Sequence, residues 1–172
     1  NRDGKLYSRN YGCCTAMALD PIEKKPLYHF YPGQLIFSIG TFGCNFRCQF
    51  CQNWGIAQPG DREPAVEVMS PEEVVRRAVE VNSMGIAYTY SEPSVWFEFV
   101  LATAKLARGK GLKNVMVSNG FIESKPLAEL SPWIDAWNID IKGFNEPFYR
   151  KIVGGIYEPV LKTAAAAVRA GS

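Results

Sequence analysis

From Leu35 onward, short apolar runs alternate along the chain with stretches in which apolar residues recur at helical spacing. Each run is bounded by polar or glycine-containing segments, which is typical of a buried strand. The pattern predicts strands at residues 35–39, 86–90, 114–118 and 134–141.

Helical spacing follows the predicted strands. Ser70, Pro71 and Glu73 form the signature of a helix start, with an N-cap, a proline at the first helical position and a capping box. We expect this helix to end at Gly85 and later helices to reach Arg108 and to cover residues 124–130 and 159–170. In the last helix, one face is expected to be buried, and it consists of Leu161, Ala164, Ala165 and Val168.

This alternation of strands and helices predicts parallel strand pairing with right-handed crossovers, and hence an α/β fold. Periodicity alone does not choose between an open doubly wound sheet and a (βα) barrel. Residues 1–34 are less regular, and we interpret them as an N-terminal extension that covers the first strand. Residues 35–172 are then the core domain, with the first four βα units.

Composition narrows the functional classes. The formal net charge is +2, and no block of Lys and Arg indicates nucleic-acid binding. No apolar run approaches the roughly 18 residues of a membrane span, and no signal-peptide pattern is present at residues 1–12. The chain has five cysteines, an odd number that argues against a disulfide framework. We therefore expect a metal-binding protein of the reducing cytoplasm.

Three of the cysteines follow the first predicted strand at C-x3-C-x2-C spacing: Cys44, Cys48 and Cys51. Closely spaced thiolates on a loop can converge on a metal, and soft sulfur ligands suit iron and zinc. A structural zinc site needs four ligands, whereas a [4Fe–4S] cube bound by three thiolates leaves one iron open. Zinc would require Cys13, Cys14 or His29 as well. An electron-transfer cluster with a distant fourth cysteine is the other alternative.

The cysteine motif, its place after the first strand and the aromatic Phe50 before the third cysteine resemble the radical-SAM superfamily. In that superfamily the open iron is chelated by S-adenosylmethionine (SAM), and the reduced cluster cleaves SAM to a 5′-deoxyadenosyl radical that abstracts a hydrogen atom. The resemblance implies a partial (βα) barrel with the cluster at the C-terminal mouth of the strands. It also implies an electron donor such as flavodoxin or ferredoxin, and further βα units beyond Ser172.

Polar residues that follow the next two strands are the candidates for holding SAM. Ser91 and Glu92 occupy the place of a Gly-Gly-Glu-Pro stretch in the superfamily, where only the Glu-Pro half matches. An acidic residue favoured by a helix dipole is the alternative for Glu92. Ser118 and Asn119 precede Gly120, where an ordinary left-handed turn is equally consistent with the sequence. The resemblance adds Phe50, whose ring would pack on adenine, and Asn53.

Polar and apolar residues alternate at the end of the fourth strand. Asn138, Asp140 and Lys142 share one face by the period of two, and charges that point into a barrel are costly unless they are paired or bound to a ligand. A solvated edge strand is the alternative. The motif Asn-x-Asp-x-Lys resembles the glycyl-radical-enzyme activases, of which the pyruvate formate-lyase activating enzyme is the type. There Asp140 and Lys142 would contact the methionine part of SAM, and Asp140 would hold a monovalent cation with Asn138 or Ser118.

Longer motifs resemble the activase-like branch called AmmeMemoRadiSam, and they are found at residues 20–30, 51–54, 88–93 and 138–144. The implied function is to place a glycyl radical on a partner such as pyruvate formate-lyase. Two alternatives stay open: a radical-SAM enzyme with another small-molecule or peptide substrate, and a non-catalytic iron–sulfur or zinc module.

Overall fold

The computed structural model describes residues 3–4, 8–61 and 64–171. Its strands are β1 (Cys13–Cys14), β2 (Ala16–Pro21), β3 (Leu35–Gly40), β4 (Glu67–Val68), β5 (Gly85–Thr89), β6 (Lys113–Ser118) and β7 (Ala136–Ile139). Its α-helices are α1 (Trp54–Ala57), α2 (Pro71–Glu80), α3 (Phe97–Gly109), α4 (Ser124–Leu130), α5 (Glu146–Phe148) and α6 (Tyr157–Arg169). Short 3-10 turns lie at Ile22–Lys24, Pro93–Trp96 and Ser131–Trp133, and a π-helical turn lies at Tyr149–Val153.

Five strands form the main sheet in the order β2-β3-β5-β6-β7. The four strands predicted from the sequence, β3, β5, β6 and β7, are adjacent and parallel, which confirms the α/β fold class. Strand β2, from the segment predicted to be an N-terminal extension, pairs antiparallel with β3 from Ala16 opposite Gly40 to Pro21 opposite Leu35. The first predicted strand is therefore covered along its edge by backbone hydrogen bonds.

Side chains alternate between the two faces of this sheet because strand residues point to opposite sides in turn. On β5, Ile86 and Tyr88 pack into the large core that also contains side chains of α2 and α3. Ala87, between them, packs into a smaller cluster on the other face with Ile36 and Val115. The sheet is thus buried on both faces, as parallel sheets require.

Several element boundaries and the buried face of one helix differ from the sequence prediction. Helix α2 ends at Glu80, and Gly85 begins the next strand. Strand β7 spans only four residues, so that Asp140 and Lys142 lie just beyond its end. The predicted face of the last helix is wrong: Val168 is exposed, and the buried face is Val160, Thr163 and Ala167. Residues 164–167 are all alanine, so apolar side chains lie on every side of the helix there. The sequence pattern therefore does not indicate which face of the helix is buried.

Across the described residues, none of the helices combines the length and apolar character needed to cross a membrane.

Candidate functional site

The carboxyl ends of the four parallel strands open onto one cleft of about 480 Å³. Ligand pockets in proteins commonly have volumes in this range. The structure brings together at this cleft all but one of the residues predicted as site residues: Cys44, Cys48, Phe50, Cys51, Asn53, Ser91, Glu92, Ser118, Asn119, Asp140 and Lys142. Asn138 does not line it.

The cysteine loop that follows β3 is held by a segment about 100 positions further along the chain. The backbone N–H of Arg47 donates to the Val153 carbonyl at 2.9 Å, and that of Gln49 donates to the Ile152 carbonyl at 3.0 Å. Gly155 lies so close to the loop that a Cβ there would stand 2.1 Å from the ring of Phe46. The π-helical turn after α5 therefore acts as a clamp on the cysteine loop.

The thiols of the loop are partly shielded from water. Burial raises the pKa of Cys44 to about 11, although the backbone N–H of Phe46 donates a hydrogen bond to its sulfur at 3.4 Å. Burial also raises the pKa of Cys48, and the positive charge of Lys142 opposes that rise. Coordination to a metal deprotonates a thiol outright. A bound metal ion or cluster would therefore keep these thiols in the thiolate form although burial raises their pKa.

The set of available ligands bears on whether the cleft suits a zinc ion or an iron–sulfur cluster. In the part of the chain that the structure describes, no three His, Cys, Asp or Glu side chains converge on a single ion. Cys14 lies in the main core, where burial raises its pKa to about 12, and neither Cys13, Cys14 nor His29 lines the cleft. A zinc site gathers four ligands around one ion. By their number and chemistry, the three thiols at the cleft fit a cluster, in which each thiolate binds an iron of its own.

Glu92 ties the ends of two strands together. Its Oε1 accepts hydrogen bonds from the Ser118 hydroxyl at 2.8 Å and the Ser94 backbone N–H at 2.9 Å, and its Oε2 accepts one from the Asn119 backbone N–H at 2.7 Å. The side chain is 1% exposed, and burial raises its pKa while these hydrogen bonds lower it. Glu92 therefore positions the turn after β6, a role that its sequence context did not reveal.

Asn119 extends this network to the cysteine loop. Its Nδ2 donates to Oδ1 of Asn45 at 2.8 Å and approaches the Cys44 sulfur at 3.7 Å, while its Oδ1 accepts from the Phe121 N–H at 2.8 Å. The backbone of the turn permits this approach because Gly120 has a φ of +73°. Asn45 was missed by the sequence reasoning, although a polar residue inside the cysteine motif is a signal that could have found it.

Asp140 and Lys142 form an ion pair at the mouth of the cleft. The Lys142 side chain is 22% exposed and that of Asp140 is 54% exposed, so the amino group is the more enclosed of the two. Ser118 and Asp140 both line the cleft, but the Ser118 hydroxyl is bound to Glu92. The monovalent cation implied by the resemblance stays a prediction.

Three further candidates lie at the rim. Phe50 is 51% exposed, with its ring centroid 6.3 Å from that of Phe148. Asn53 is exposed and precedes α1, and the Ser91 hydroxyl donates to the carbonyl of Gly43, next to the first cysteine. An exposed aromatic ring and nearby polar groups are what a bound nucleoside can contact.

Fold and cleft together define an α/β protein whose parallel strands carry a cysteine loop at their carboxyl ends. Residues 38–172 match the model of the Radical SAM superfamily, and the chain belongs to that family. The superfamily implies a [4Fe–4S] cluster and SAM, and the thiols of this cleft fit the cluster by their number and chemistry.

Several curated proteins are similar in sequence. An uncharacterized protein of Methanocaldococcus jannaschii is 50% identical over 172 residues, which cover 99% of this chain and 50% of that protein. A GTP 3′,8-cyclase of Actinobacillus pleuropneumoniae is 27% identical over 79 residues, 45% of this chain and 23% of the cyclase. A GTP 3′,8-cyclase of Haemophilus influenzae is 22% identical over 156 residues, 89% of this chain and 44% of the cyclase. The chain thus spans half the length of these relatives or less.

Solved structures agree on the fold. QueE from Escherichia coli superposes with a TM-score of 0.61 at 12% identity, over 95% of this chain and 72% of that one. SuiB from Streptococcus suis, solved bound to S-adenosylmethionine, superposes with a TM-score of 0.53 at 12% identity, over 78% of this chain and 29% of that one. The partial-barrel prediction is thereby confirmed. The finer resemblance to glycyl-radical activases is not addressed by these proteins.

Proposed function

We propose that the polypeptide carrying this chain cleaves SAM reductively at a [4Fe–4S] cluster bound by Cys44, Cys48 and Cys51, and uses the resulting radical to abstract a hydrogen atom. The observation that carries this proposal is the meeting of the three thiols and the polar residues after β5, β6 and β7 at one cleft. When bound, cluster and SAM supply the electron transfer and the radical, and the protein supplies binding and orientation.

The residues of the cleft have different proposed roles, which follow from their chemistry. Lys142 is the cationic partner for the SAM carboxylate, since its amino group is the more enclosed member of its ion pair. The exposed ring of Phe50 is a surface on which adenine can stack. Glu92 acts through the turn it holds, because three protein groups already donate to its carboxylate. An external donor such as flavodoxin or ferredoxin would deliver the electron.

For the substrate, the motifs of the sequence favour a glycyl-radical enzyme, such as pyruvate formate-lyase, as the protein that receives the radical. The support is the stretch from Asn138 to Lys142, together with the motifs at residues 20–30 and 88–93.

A second candidate is a small anionic molecule as the hydrogen donor. Two features favour it: an excess of positive charge beside the cleft, where two lysines share one carboxylate, and the similarity to GTP 3′,8-cyclases, whose name specifies a phosphorylated substrate.

One experiment tests both the cleavage of SAM and the kind of substrate. The full-length polypeptide, reconstituted anaerobically, is incubated with SAM and a reductant, and 5′-deoxyadenosine is measured by mass spectrometry. Formation of 5′-deoxyadenosine in the wild type but not in Cys44→Ala is expected, and its absence in the wild type would overturn the proposal. Candidate glycyl-radical enzymes are then added, and the electron paramagnetic resonance (EPR) signal of a glycyl radical decides between the two kinds of substrate.

A further inference from the structure

A second group of charges lies beside the cysteine-lined part of the cleft. Lys25 is 1% exposed, and its Nζ donates to Oδ2 of Asp20 at 2.9 Å. The Nζ of Lys24 donates to the other carboxylate oxygen, Oδ1, at 3.0 Å. Two amino groups therefore share one carboxylate. The carboxylate of Glu23, in the same turn, accepts from the Gly33 backbone N–H at 2.7 Å and pairs with neither lysine, so one of the two positive charges has no carboxylate of its own.

The two lysines differ in their surroundings. Lys25 and Asp20 are both buried, with side-chain exposures of 1% and 7%, so this pair satisfies each other's charge inside the protein. Lys24 has a side chain that is 65% exposed and lines the cleft. The surplus charge is therefore presented to the cleft by Lys24, which retains N–H donors beyond the one used by Asp20.

Tyr90 places a second donor at the same part of the cleft. Its hydroxyl accepts a hydrogen bond from Lys25 Nζ at 3.1 Å, and its ring lies 5.1 Å from that nitrogen. Within the part of the chain that the structure describes, no protein acceptor takes the hydroxyl proton of Tyr90, which also lines the cleft. An ammonium and a hydroxyl thus stand ready to donate to one ligand.

The charges of the cleft are separated along the sheet. The shared carboxylate belongs to β2 at the sheet edge, whereas Glu92 binds the turn that follows β6, with β3 and β5 lying between β2 and β6. The positive end of the cleft is thus distinct from the part formed by the cysteine loop and Glu92. An anionic group fits the positive end, and a cationic group does not.

We infer that Lys24 and Tyr90 form an oxyanion subsite that binds a phosphate or carboxylate group of a small-molecule substrate. The inference rests on the second candidate of the proposed function, a small anionic hydrogen donor, because it gives that donor its place beside SAM. Asp20 and Lys25 are the buried support: the carboxylate holds Lys24 and Lys25 together, and Lys25 occupies the acceptor of Tyr90 so that its proton points elsewhere.

The test uses the full-length polypeptide with its cluster and SAM but without reductant, titrated calorimetrically with inorganic pyrophosphate and, separately, with succinate at low ionic strength. We expect one site for at least one probe, about tenfold weaker in Lys24→Gln and largely restored in Lys24→Arg, because a charge-assisted hydrogen bond is lost and regained. Tyr90→Phe should weaken binding about fivefold, since a neutral donor is removed.

Lys162→Gln is the matched control, because Lys162 forms an exposed ion pair of the same i,i+4 type with Glu158 at 2.8 Å on α6. It should bind both probes as the wild type does. The inference is overturned if neither probe binds the wild type, if Lys24→Gln binds as the wild type does, or if Lys162→Gln loses as much affinity as Lys24→Gln. Tighter binding of pyrophosphate or of succinate identifies the anion as phosphate or carboxylate.

Failure of the inference and failure of the proposed function are distinguishable. If the wild type releases no 5′-deoxyadenosine with reductant, the proposed function fails, whatever the calorimetry gives. If it does release 5′-deoxyadenosine but neither anion binds, the subsite alone is overturned.

Discussion

The side-chain amide of Asn119 lies 3.7 Å from the sulfur of Cys44, and it is oriented there by a 2.8 Å hydrogen bond to Asn45. Hydrogen bonds to a cluster sulfur stabilise the reduced, more negative state and so raise the reduction potential. We predict that Asn119→Ala lowers the midpoint potential of the reconstituted cluster by about 20–40 mV, equivalent to one weak hydrogen bond. Redox titration followed by EPR measures the shift.

Gln34→Ala is the control for this prediction, since it removes a side-chain amide from an exposed residue that does not line the cleft. Equal potentials in Asn119→Ala and the wild type would show that the amide has no influence on the cluster.

The three cysteines of the loop should be separable from the other two. Alanine at Cys44, Cys48 or Cys51 is expected to abolish the broad iron–sulfur absorbance after reconstitution, because each thiolate binds one iron. Cys13→Ala should retain it, since Cys13 does not line the cleft. A normal cluster in any of the three loop variants would contradict the ligand assignment.

Lys142 should affect SAM more than the cluster. We expect Lys142→Ala to weaken SAM binding about tenfold, measured by equilibrium dialysis, because a charge partner of the carboxylate is removed. The iron content should be unchanged, since no thiolate is lost. Lys162→Ala provides the matched surface control, and an unaltered SAM affinity in Lys142→Ala would leave the Asp140–Lys142 pair with a structural role only.

The buried ion pair between Asp20 and Lys25 should matter for stability. Asp20→Asn is expected to lower the free energy of unfolding by about 3–5 kcal/mol, because it leaves Lys25 buried without a carboxylate. Denaturant titration measures the change, and Asp61→Asn, at an exposed position, is the control. A loss as small as that of the control would mean that Lys25 finds another partner or reaches water.

Glu92 gives a pH dependence with a defined sign. Burial raises its native pKa above the ordinary 4.5, so the native state holds this proton more tightly than the unfolded chain. Its contribution to stability is therefore greatest below pH 4.5 and declines as the pH rises through the native pKa. The free energy of unfolding of the wild type minus that of Glu92→Gln, measured by thermal unfolding, should fall as the pH rises over that interval. A value that increases with pH would contradict the burial argument.

The sequence predicted β3 and β5 because both are buried on both faces and read as mostly apolar runs. It predicted β6 and β7 from shorter apolar stretches mixed with polar residues, in alternation with the helices. It did not indicate β2, since Ala16 to Pro21 contains a charged residue and a proline, and its pairing with β3 is a long-range contact.

The candidate site was predictable where residues follow strand ends, as with Asn119 after β6. Asn45 and Tyr90 were missed because their hydrogen bonds to Asn119 and Lys25 cross the fold, which spacing does not encode. Lys24 was missed because its bond to Asp20 is local and only the fold places it at the cleft.

The clamp on the cysteine loop has a consequence for the order of biosynthesis. The loop leaves the ribosome before the carbonyls of Ile152 and Val153 that fix its backbone, which are made about 100 residues later. Gly155, which packs against Phe46, follows them. A nascent chain that ends before this clamp presents its cysteines on a loop without its full support. We therefore expect insertion of iron and sulfide to follow formation of the clamp, and maturation factors to act on chains in which the clamp is already in place.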